Sequence, residues 1–394
     1  MKRFFAIALV LLLCGVMYVG ADDAKVMPAR IGRFYVAPTF GFVNNHFNED
    51  GESKSLGEGE GGMQLFNLGF ALEYGIIDWL TAALQWAPGV NVWSDVDKDL
   101  KVSTSNVNAN GVADLFVGAK MQFIGNQGLV QNDMFRLALA PGVKIPLPGP
   151  DYEEQNKNML KNDPITGGNV DNHVFGAGAR FYFDYVINDK FFVNLYSEFI
   201  GYPVKGDLKK SGIDPYAVDY GAKLTLMNTL EGMMAGTSAL IPADLVIIDG
   251  GTVNYGYDLT FELEPVFSTS IAEATVFTAG LPFNFKLNPA KKYDYDLTKK
   301  FNDTADTIGA MAAGAGMPGV SDMIKNLVTD GIEENLNKTD DPSYIFTLKP
   351  NVSVFFMGWA LPTEFKVSYS APLAGKNKDA LHSITMQVKL YFKI

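Results

Sequence analysis

The chain has 394 residues, of which 47% are hydrophobic and 19% are charged, and its formal net charge at pH 7 is −12. An acidic chain of this kind gives no support for binding to nucleic acid, whose phosphates attract basic surfaces. The single cysteine, Cys14, lies in the N-terminal segment. A form of the protein without that segment therefore cannot use disulfides for stability.

The first residues have the pattern of a secretory signal peptide. A basic start is followed by an apolar run, Phe4–Val19, and by small residues up to Ala21. This pattern predicts a signal peptide over residues 1–21, cleaved after Ala21. A retained helical anchor is disfavoured because the run is shorter than the ~20 residues that span a bilayer. Lipidation of Cys14 is disfavoured because the bulky Leu13 precedes it.

The rest of the chain, residues 22–394, repeats a pattern in which apolar side chains occupy every second position. Between Phe66 and Tyr74, for example, aromatic and aliphatic residues alternate with small or polar ones. A period of two indicates β-strands with one apolar and one polar face. The runs are longer than the ~5–6 residues typical of globular strands. They match the ~9–11 residues of a tilted membrane strand, so the fold class predicted is an all-β, transmembrane, antiparallel up-and-down β-barrel.

The predicted strands are separated by connections that alternate between short turns and long loops, as in transmembrane barrels. The alternation fails at 229–254, and a further strand over Met233–Ile241 would restore it. That gives about fourteen strands, with twelve to sixteen as the range. The other predicted strands are 31–43, 62–75, 78–90, 111–124, 133–146, 172–187, 190–203, 216–228, 255–268, 271–287, 343–357, 361–371 and 382–394.

Charged side chains in the middle of these strands lie on the polar face. In a barrel that face lines a hydrated lumen, whereas the apolar face contacts lipid. Salt bridges that brace the wall are the first interpretation, and a role in solute selectivity is the second. Either way, a basic sector on the fourth to sixth strands would face an acidic sector further round. The candidate lumen-lining residues are Asp114, Lys120, Arg136, Lys144, Arg180, Asp184, Glu198, Asp219, Lys223, Asp258 and Glu262.

The external loop over 288–342 is the longest predicted connection and has a helical pattern of its own. Ser321 is a favourable N-cap, and Ile324, Leu327, Val328 and Ile332 follow at helical spacing. Long loops of this kind are usually functional or disordered. A lid over the mouth of the barrel and a mobile surface decoration are both consistent with the pattern.

The sequence does not favour catalysis or metal binding. The three histidines, His46, His173 and His382, lack the spacing of metal ligands. His382 and Ser383 are adjacent on a predicted strand, so their side chains point to opposite faces. We therefore predict a protein that is not an enzyme and needs no cofactor.

Two consecutive strands carry a resemblance to a known family. The stretch GVADLFVGAKMQFI, followed by FRLALAPGVKIPLPGPD, resembles outer-membrane proteins of the phenol-degradation meta-pathway transporter group. The matching positions are Gly111, Asp114, Gly118, Lys120, Gly142, Lys144 and Pro146. The resemblance implies kinship to the wider group of channels for hydrophobic compounds that includes fatty-acid transporters.

The fatty-acid transporters carry an N-terminal plug with an Asn-Pro-Ala motif, and this chain departs from that pattern. Its Asn-Pro-Ala, residues 288–290, follows a late strand, and only residues 22–30 precede the first predicted strand. Because of this departure a plug of that type is not expected, and any gating would fall to the external loops.

The final strand keeps its alternation up to Ile394, which predicts that Thr385, Gln387 and Lys389 face the lumen. We expect this strand to close the barrel against the first. The resemblance to outer-membrane proteins implies that the barrel assembly machinery recognises such a strand, with Phe392 as its aromatic residue. The expected surroundings are then outer-membrane lipid, reached after export by the signal peptide. The leading functional hypothesis is passive uptake of small, hydrophobic compounds. The alternatives are a non-conducting surface protein, either an adhesin or a structural barrel, and a soluble periplasmic β-protein.

Overall fold

The computed structural model describes residues 23–55, 63–86, 90–95, 106–112, 115–147, 165–169, 173–208, 210, 214–233, 236–242, 245–337 and 342–393. The predicted signal peptide and Asp114 lie outside these ranges. Within them, every helix is too short or too polar to cross a membrane.

The secondary structure is dominated by strands. In chain order its first part contains β1 (Ile31–Phe47), β2 (Ser53–Ser55), β3 (Met63–Ile77), β4 (Leu80–Trp86), β5 (Val90–Asp95), β6 (Asn106–Val112), β7 (Leu115–Ile124), β8 (Phe135–Ile145), β9 (Ile165–Asn169), β10 (Gly176–Val186), β11 (Phe191–Gly201) and β12 (Gly206–Asp207). Its second part contains α1 (Asp214–Met233), a 3-10 helix (Thr237–Leu240), β13 (Ile248–Asn254), β14 (Tyr257–Ala272), β15 (Thr275–Gly280), β16 (Phe283–Asn288), β17 (Lys292–Leu297), α2 (Lys299–Gly314), α3 (Val320–Asn337), β18 (Ser343–Leu348), β19 (Asn351–Phe356), β20 (Thr363–Lys376) and β21 (Lys378–Lys393).

The large sheet closes into a barrel because the last strand pairs with the first. β21 is antiparallel to β1, with Lys393 opposite Ile31 and Leu381 opposite Val43. The described chain crosses the wall with 12 antiparallel strands. Four of these crossings consist of two segments, namely β4–β5, β6–β7, β15–β16 and β18–β19. The predicted all-β antiparallel barrel is confirmed, with its strand number at the lower end of the expected range.

The two additional strands predicted over 216–228 and 233–241 are wrong. The first stretch is helical and belongs to α1, and the second contains the end of α1 and the 3-10 helix. Ala222, Leu226 and Leu230, spaced by four residues, form the buried face of α1. Short apolar runs of this kind can satisfy the helical and the strand period at once. The alternation of short turns and long loops is restored by removing the predicted strand over 216–228, not by adding a strand over 233–241.

The barrel wall has an apolar outer face and a polar lumen face. On β1, Phe40 is 56% exposed on the outer face, whereas its neighbour Thr39 is 5% exposed on the lumen face. The same alternation places apolar side chains around the outside of the barrel. Examples with large exposed areas are Leu72, Ile76, Phe181, Phe199, Phe261, Leu263, Val352, Phe365, Val367 and Met386.

One end of the barrel carries short connections and the other carries long ones; we call them the turn end and the loop end. Over the loop end lies a subdomain, the cap, formed by the described residues of 202–256 and 289–342. It contains α1, α2, α3 and a separate sheet of β12, β13 and β17. The helix predicted after Ser321 is confirmed as α3, and Ile324, Val328 and Ile332 are buried in the cap core. The N-cap prediction is wrong, because α3 begins at Val320 and Ser321 lies in its first turn, where the hydroxyl donates to Asp306 Oδ1 at 2.6 Å. Leu327 is partly buried.

The cap core continues into the barrel. Its buried cluster includes Phe301 and Ile324 from the cap together with Val43, Leu65 and Phe116 from the lumen face of the wall. The contact is therefore apolar and continuous, so the cap packs into the loop end of the lumen.

The N-cap residue of helix α2, Thr298, also connects the helix to another part of the cap subdomain. The Thr298 Oγ1 accepts a hydrogen bond from the Phe301 backbone N at 3.1 Å and donates one to the Val246 backbone O at 2.6 Å. We expect Thr298→Ala to destabilise the cap by about 1 kcal/mol. Hydrogen exchange of α2 measures the change. Thr298→Ser keeps both bonds and serves as the control, and equal protection in Thr298→Ala and the parent protein would contradict the role.

The closing strand is held partly by Phe392 on the outer face of β21. A Cβ atom at Gly32 of β1 would lie 2.4 Å from the Phe392 ring, so the ring covers this glycine. We expect Phe392→Ala to lower the yield of inserted barrel, because about 1–2 kcal/mol of apolar contact at the seam is lost. Heat-modifiable gel migration measures the inserted fraction. The control is Met386→Ala, which removes a side chain on the same face of β21 but away from Gly32. Equal yields of the two variants would argue against the role of Phe392.

Candidate functional site in the barrel lumen

The residues before β1 enter the lumen from the turn end. We call Asp23–Arg30 the N-terminal segment. The Ala24 backbone N donates to Asp184 Oδ1 at 3.0 Å, and the Met27 backbone N donates to Thr81 Oγ1 at 2.8 Å. Gln122 Nε2 donates to the Ala24 backbone O at 2.8 Å, and Lys120 Nζ donates to the Asp23 backbone O. The N-terminal segment thus occupies the turn end of the lumen, and the prediction that gating falls to the external loops did not include it.

Small residues on the wall make room for this segment. Ala24 is fully buried in a cluster with Ala138 and Ala140 of β8. At Gly75 a Cβ atom would lie 2.0 Å from the Pro28 backbone O, so only glycine permits this approach. The alternating alanines of β8 were the sequence signal for an occupied lumen, because an open hydrated lumen does not require them.

Two of the predicted basic residues lie in salt bridges between neighbouring strands. Arg136 Nη1 of β8 is 3.3 Å from Asp184 Oδ2 of β10. Arg180 Nε of β10 donates to Glu198 Oε2 of β11 at 2.6 Å. Each of these arginines thus pairs with a carboxylate on the adjacent strand. The charges alternate along this part of the wall, in place of the two facing sectors that the sequence suggested.

The remaining predicted residues of the wall lie towards the loop end and the middle of the barrel. Asp258 Oδ2 accepts a hydrogen bond from the Tyr202 hydroxyl at 2.7 Å, and Lys144 Nζ lies 5.7 Å from the centroid of the same ring. Glu262 Oε2 accepts from Asn284 Nδ2 at 2.8 Å. These contacts fix the side chains to neighbouring strands and so stiffen the wall.

Asp219 and Lys223 do not belong to the lumen, because α1 replaces the strand predicted there. Lys223 is 2% exposed within the cap, and its Nζ donates to the Leu245 backbone O at 3.3 Å. Asp219 also lies on α1, and its side chain is outside the described structure.

A cavity of about 220 Å³ lies in the middle of the lumen. One wall of it is aromatic and contains Tyr35, Phe116, Tyr182 and Tyr196, from four different strands. A second wall is basic and contains Lys286 of β16, Lys349 of the β18–β19 connection, Lys366 of β20 and Lys389 of β21. The sequence analysis assigned Lys389 to the lumen and missed the other three, although each lies on the polar parity of its predicted strand.

Several carboxylates behind the basic wall are held by donors of the wall itself. Glu364 lies 3.3 Å from Lys389 Nζ and accepts from the Tyr391 hydroxyl at 3.1 Å. Glu264 accepts from Asn351 Nδ2 at 2.9 Å and from Asn194 Nδ2 at 3.2 Å. Both carboxylates are therefore engaged by side chains of the wall.

In the described part of the chain, no three His, Cys, Asp or Glu side chains are grouped so that they could hold a metal ion. The arrangement in the lumen is that of a pathway or binding cavity: a packed wall, an enclosed space and polar groups aimed into it.

Comparison with solved structures identifies the fold. An outer membrane channel from Pseudomonas putida is similar over 95% of this chain and 100% of its own, with 11% identity and a TM-score of 0.52. The CymD monoaromatic hydrocarbon channel covers 93% of this chain and 89% of its own, at 8% identity and a TM-score of 0.33. A FadL homologue of Pseudomonas aeruginosa covers 93% and 90%, at 8% identity and a TM-score of 0.33. No protein-family model matches the sequence, and no curated protein matches it.

The protein thus has the fold of an outer-membrane β-barrel channel. The resemblance to outer-membrane channels found in the sequence agrees with the first of these structures. Barrels of this class have their short turns in the periplasm and their long loops outside the cell. In that orientation the N-terminal segment occupies the periplasmic end of the lumen, and the cap covers the external end.

Proposed function

We propose that the protein is a passive channel for small, hydrophobic compounds. The observation that carries the proposal is the lumen cavity, whose aromatic wall offers an apolar contact surface inside a closed barrel. Flat aromatic side chains such as Tyr35 and Phe116 bind apolar rings through dispersion and stacking. A solute of this kind gains contacts in the cavity that a purely polar solute does not.

Passage requires movement at both ends of the lumen. The N-terminal segment is held by burial of Ala24 and by hydrogen bonds that include those to Thr81, Gln122 and Asp184. The cap is held at the other end by apolar packing against Val43, Leu65 and Phe116. The segment is the smaller of the two and is the part that moves, whereas displacement of the cap exposes its core. Export by the predicted signal peptide and insertion by the barrel assembly machinery would place this pathway in the outer membrane.

Two measurements test the proposal. Planar bilayers report whether the purified, folded protein conducts ions at all. Uptake of a small aromatic hydrocarbon is compared in cells that do and do not produce the protein, because an intact outer membrane retards such compounds. We expect conductance and faster uptake. A correctly folded protein that shows neither would refute the channel function.

A non-conducting surface protein is the second candidate, and the cap is the observation that favours it. Three helices and a separate sheet with their own buried core make a larger external structure than simple loops need. Replacing residues 203–255 and 290–342 by short turns distinguishes the two candidates. Loss of attachment to a surface with unchanged permeability would favour an adhesin. Unchanged attachment with altered permeability would favour the channel.

A further inference from the structure

Two neighbouring side chains of the basic wall line the lumen cavity and carry donors without a partner in the described part of the chain. Lys366 of β20 lies directly opposite Gln387 of β21 in the strand register, and both line the cavity. Gln387 is 4% exposed, and its Nε2 has no hydrogen-bond partner among the described residues. A buried amide N–H without a partner costs about 1–3 kcal/mol, so the position favours a bound acceptor.

Lys366 is the charged member of the pair. Among the described residues it makes no salt bridge, whereas Lys349 and Lys389 of the same wall contact Glu262 and Glu364. Lys366 attracts two carboxylates, Glu264 and Glu364, through Coulombic interactions. Both carboxylates accept hydrogen bonds from other donors. Its ammonium group is thus available to a solute in the cavity.

Other features of the cavity point to the same ligand chemistry. Thr347 is 6% exposed, lines the cavity, and its Oγ1 also has no partner among the described residues. Basic side chains outnumber acidic ones, eight to three, among the residues that line the cavity. Buried donors under a positive potential favour an anionic group over a neutral or cationic one.

We propose that Lys366 and Gln387 form a binding site for an anionic group, a carboxylate or a phosphate, on the solute that occupies the lumen. The aromatic wall of the cavity, with Tyr35 and Phe116, receives the apolar body of that solute. The ligand class is therefore a small compound with an aromatic or other apolar body and one negative group. This inference rests on the proposed function for its physiological ligand, but the binding site itself is measurable without transport.

The test is calorimetric titration of the full-length, detergent-solubilised protein with benzoate, with inorganic phosphate and with benzyl alcohol. We expect benzoate to bind, and benzyl alcohol, which lacks the charge, to bind at least tenfold more weakly. Lys366→Gln should weaken benzoate binding about tenfold, because a charge-assisted hydrogen bond is lost. Gln387→Leu should weaken it by less, and Lys366→Arg should retain it. Lys54→Gln is the matched control, because Lys54 lies outside the lumen and pairs with Glu52.

The outcomes separate the possible ligands and the two proposals. Phosphate binding that is also weakened by Lys366→Gln supports the site and shows that it recognises charge without the apolar body. Equal binding of benzoate and benzyl alcohol, equal affinity in Lys366→Gln, or no binding of either anion overturns the site. Heat-modifiable migration of each variant shows that its barrel is folded. Benzoate binding without any transport would refute the channel function alone, and transport without an effect of Lys366 would refute the anion site alone.

Discussion

Deletion of the N-terminal segment, Asp23–Arg30, is expected to raise the single-channel conductance of the protein severalfold. The segment fills the turn end of the lumen, and Ala24 is fully buried against the wall. Its removal replaces packed protein by water at the turn end of the lumen, so ions meet less resistance. Current recordings in planar bilayers measure the effect, and heat-modifiable migration confirms that the shortened protein still forms a barrel.

Two milder variants distinguish the effect of holding the segment in place from the effect of its presence in the chain. Thr81→Val and Gln122→Leu remove the hydrogen bonds to Met27 and Ala24 but leave the segment in the chain. We expect these variants to open more often without a higher fully open conductance. Met27→Leu conserves volume and is the control. A deletion variant with the parent conductance would show that the segment does not limit the current.

Loss of Glu198 is expected to produce the largest loss of barrel stability among single substitutions of the lumen wall. Arg180 and Glu198 have side chains that are 5% and 3% exposed, and their atoms Nε and Oε2 are 2.6 Å apart. Glu198→Ala leaves the guanidinium buried without its carboxylate, which costs about 3–5 kcal/mol. The thermal midpoint of heat-modifiable migration should fall accordingly.

The double variant Arg180→Met with Glu198→Leu is the decisive control for this prediction. It removes both charges and fills the space with apolar groups, so it should recover much of the loss. Glu198→Gln keeps an acceptor for the Tyr196 hydroxyl, which now bonds Glu198 at 3.0 Å, and should fall between the parent and Glu198→Ala. An unchanged midpoint in Glu198→Ala would mean that water hydrates Arg180 and that the pair does not brace the wall.

The sequence by itself determined the two faces of the wall and the way the barrel closes. Alternation is a local property, since side chains i and i+2 share a face whatever the strand pairs with. Phe66, Leu68 and Phe70 could therefore be assigned to the outer face from spacing alone. The same argument applied to β21 predicted lumen positions for Thr385 and Gln387, which both line the cavity.

Only the tertiary structure decided how many strands there are and what occupies the lumen. Helix α1 has apolar residues at spacings that also suit a strand, and packing of Leu226 and Leu230 in the cap selected the helix. The N-terminal segment has no periodic pattern, so its sequence did not predict that it is buried in the lumen. The pairing of Arg180 with Glu198 depends on strand register, and so do the donors of Lys366 and Gln387 that have no partner in the described part of the chain. Register is set by contacts between residues far apart in the chain, and a local pattern does not contain them.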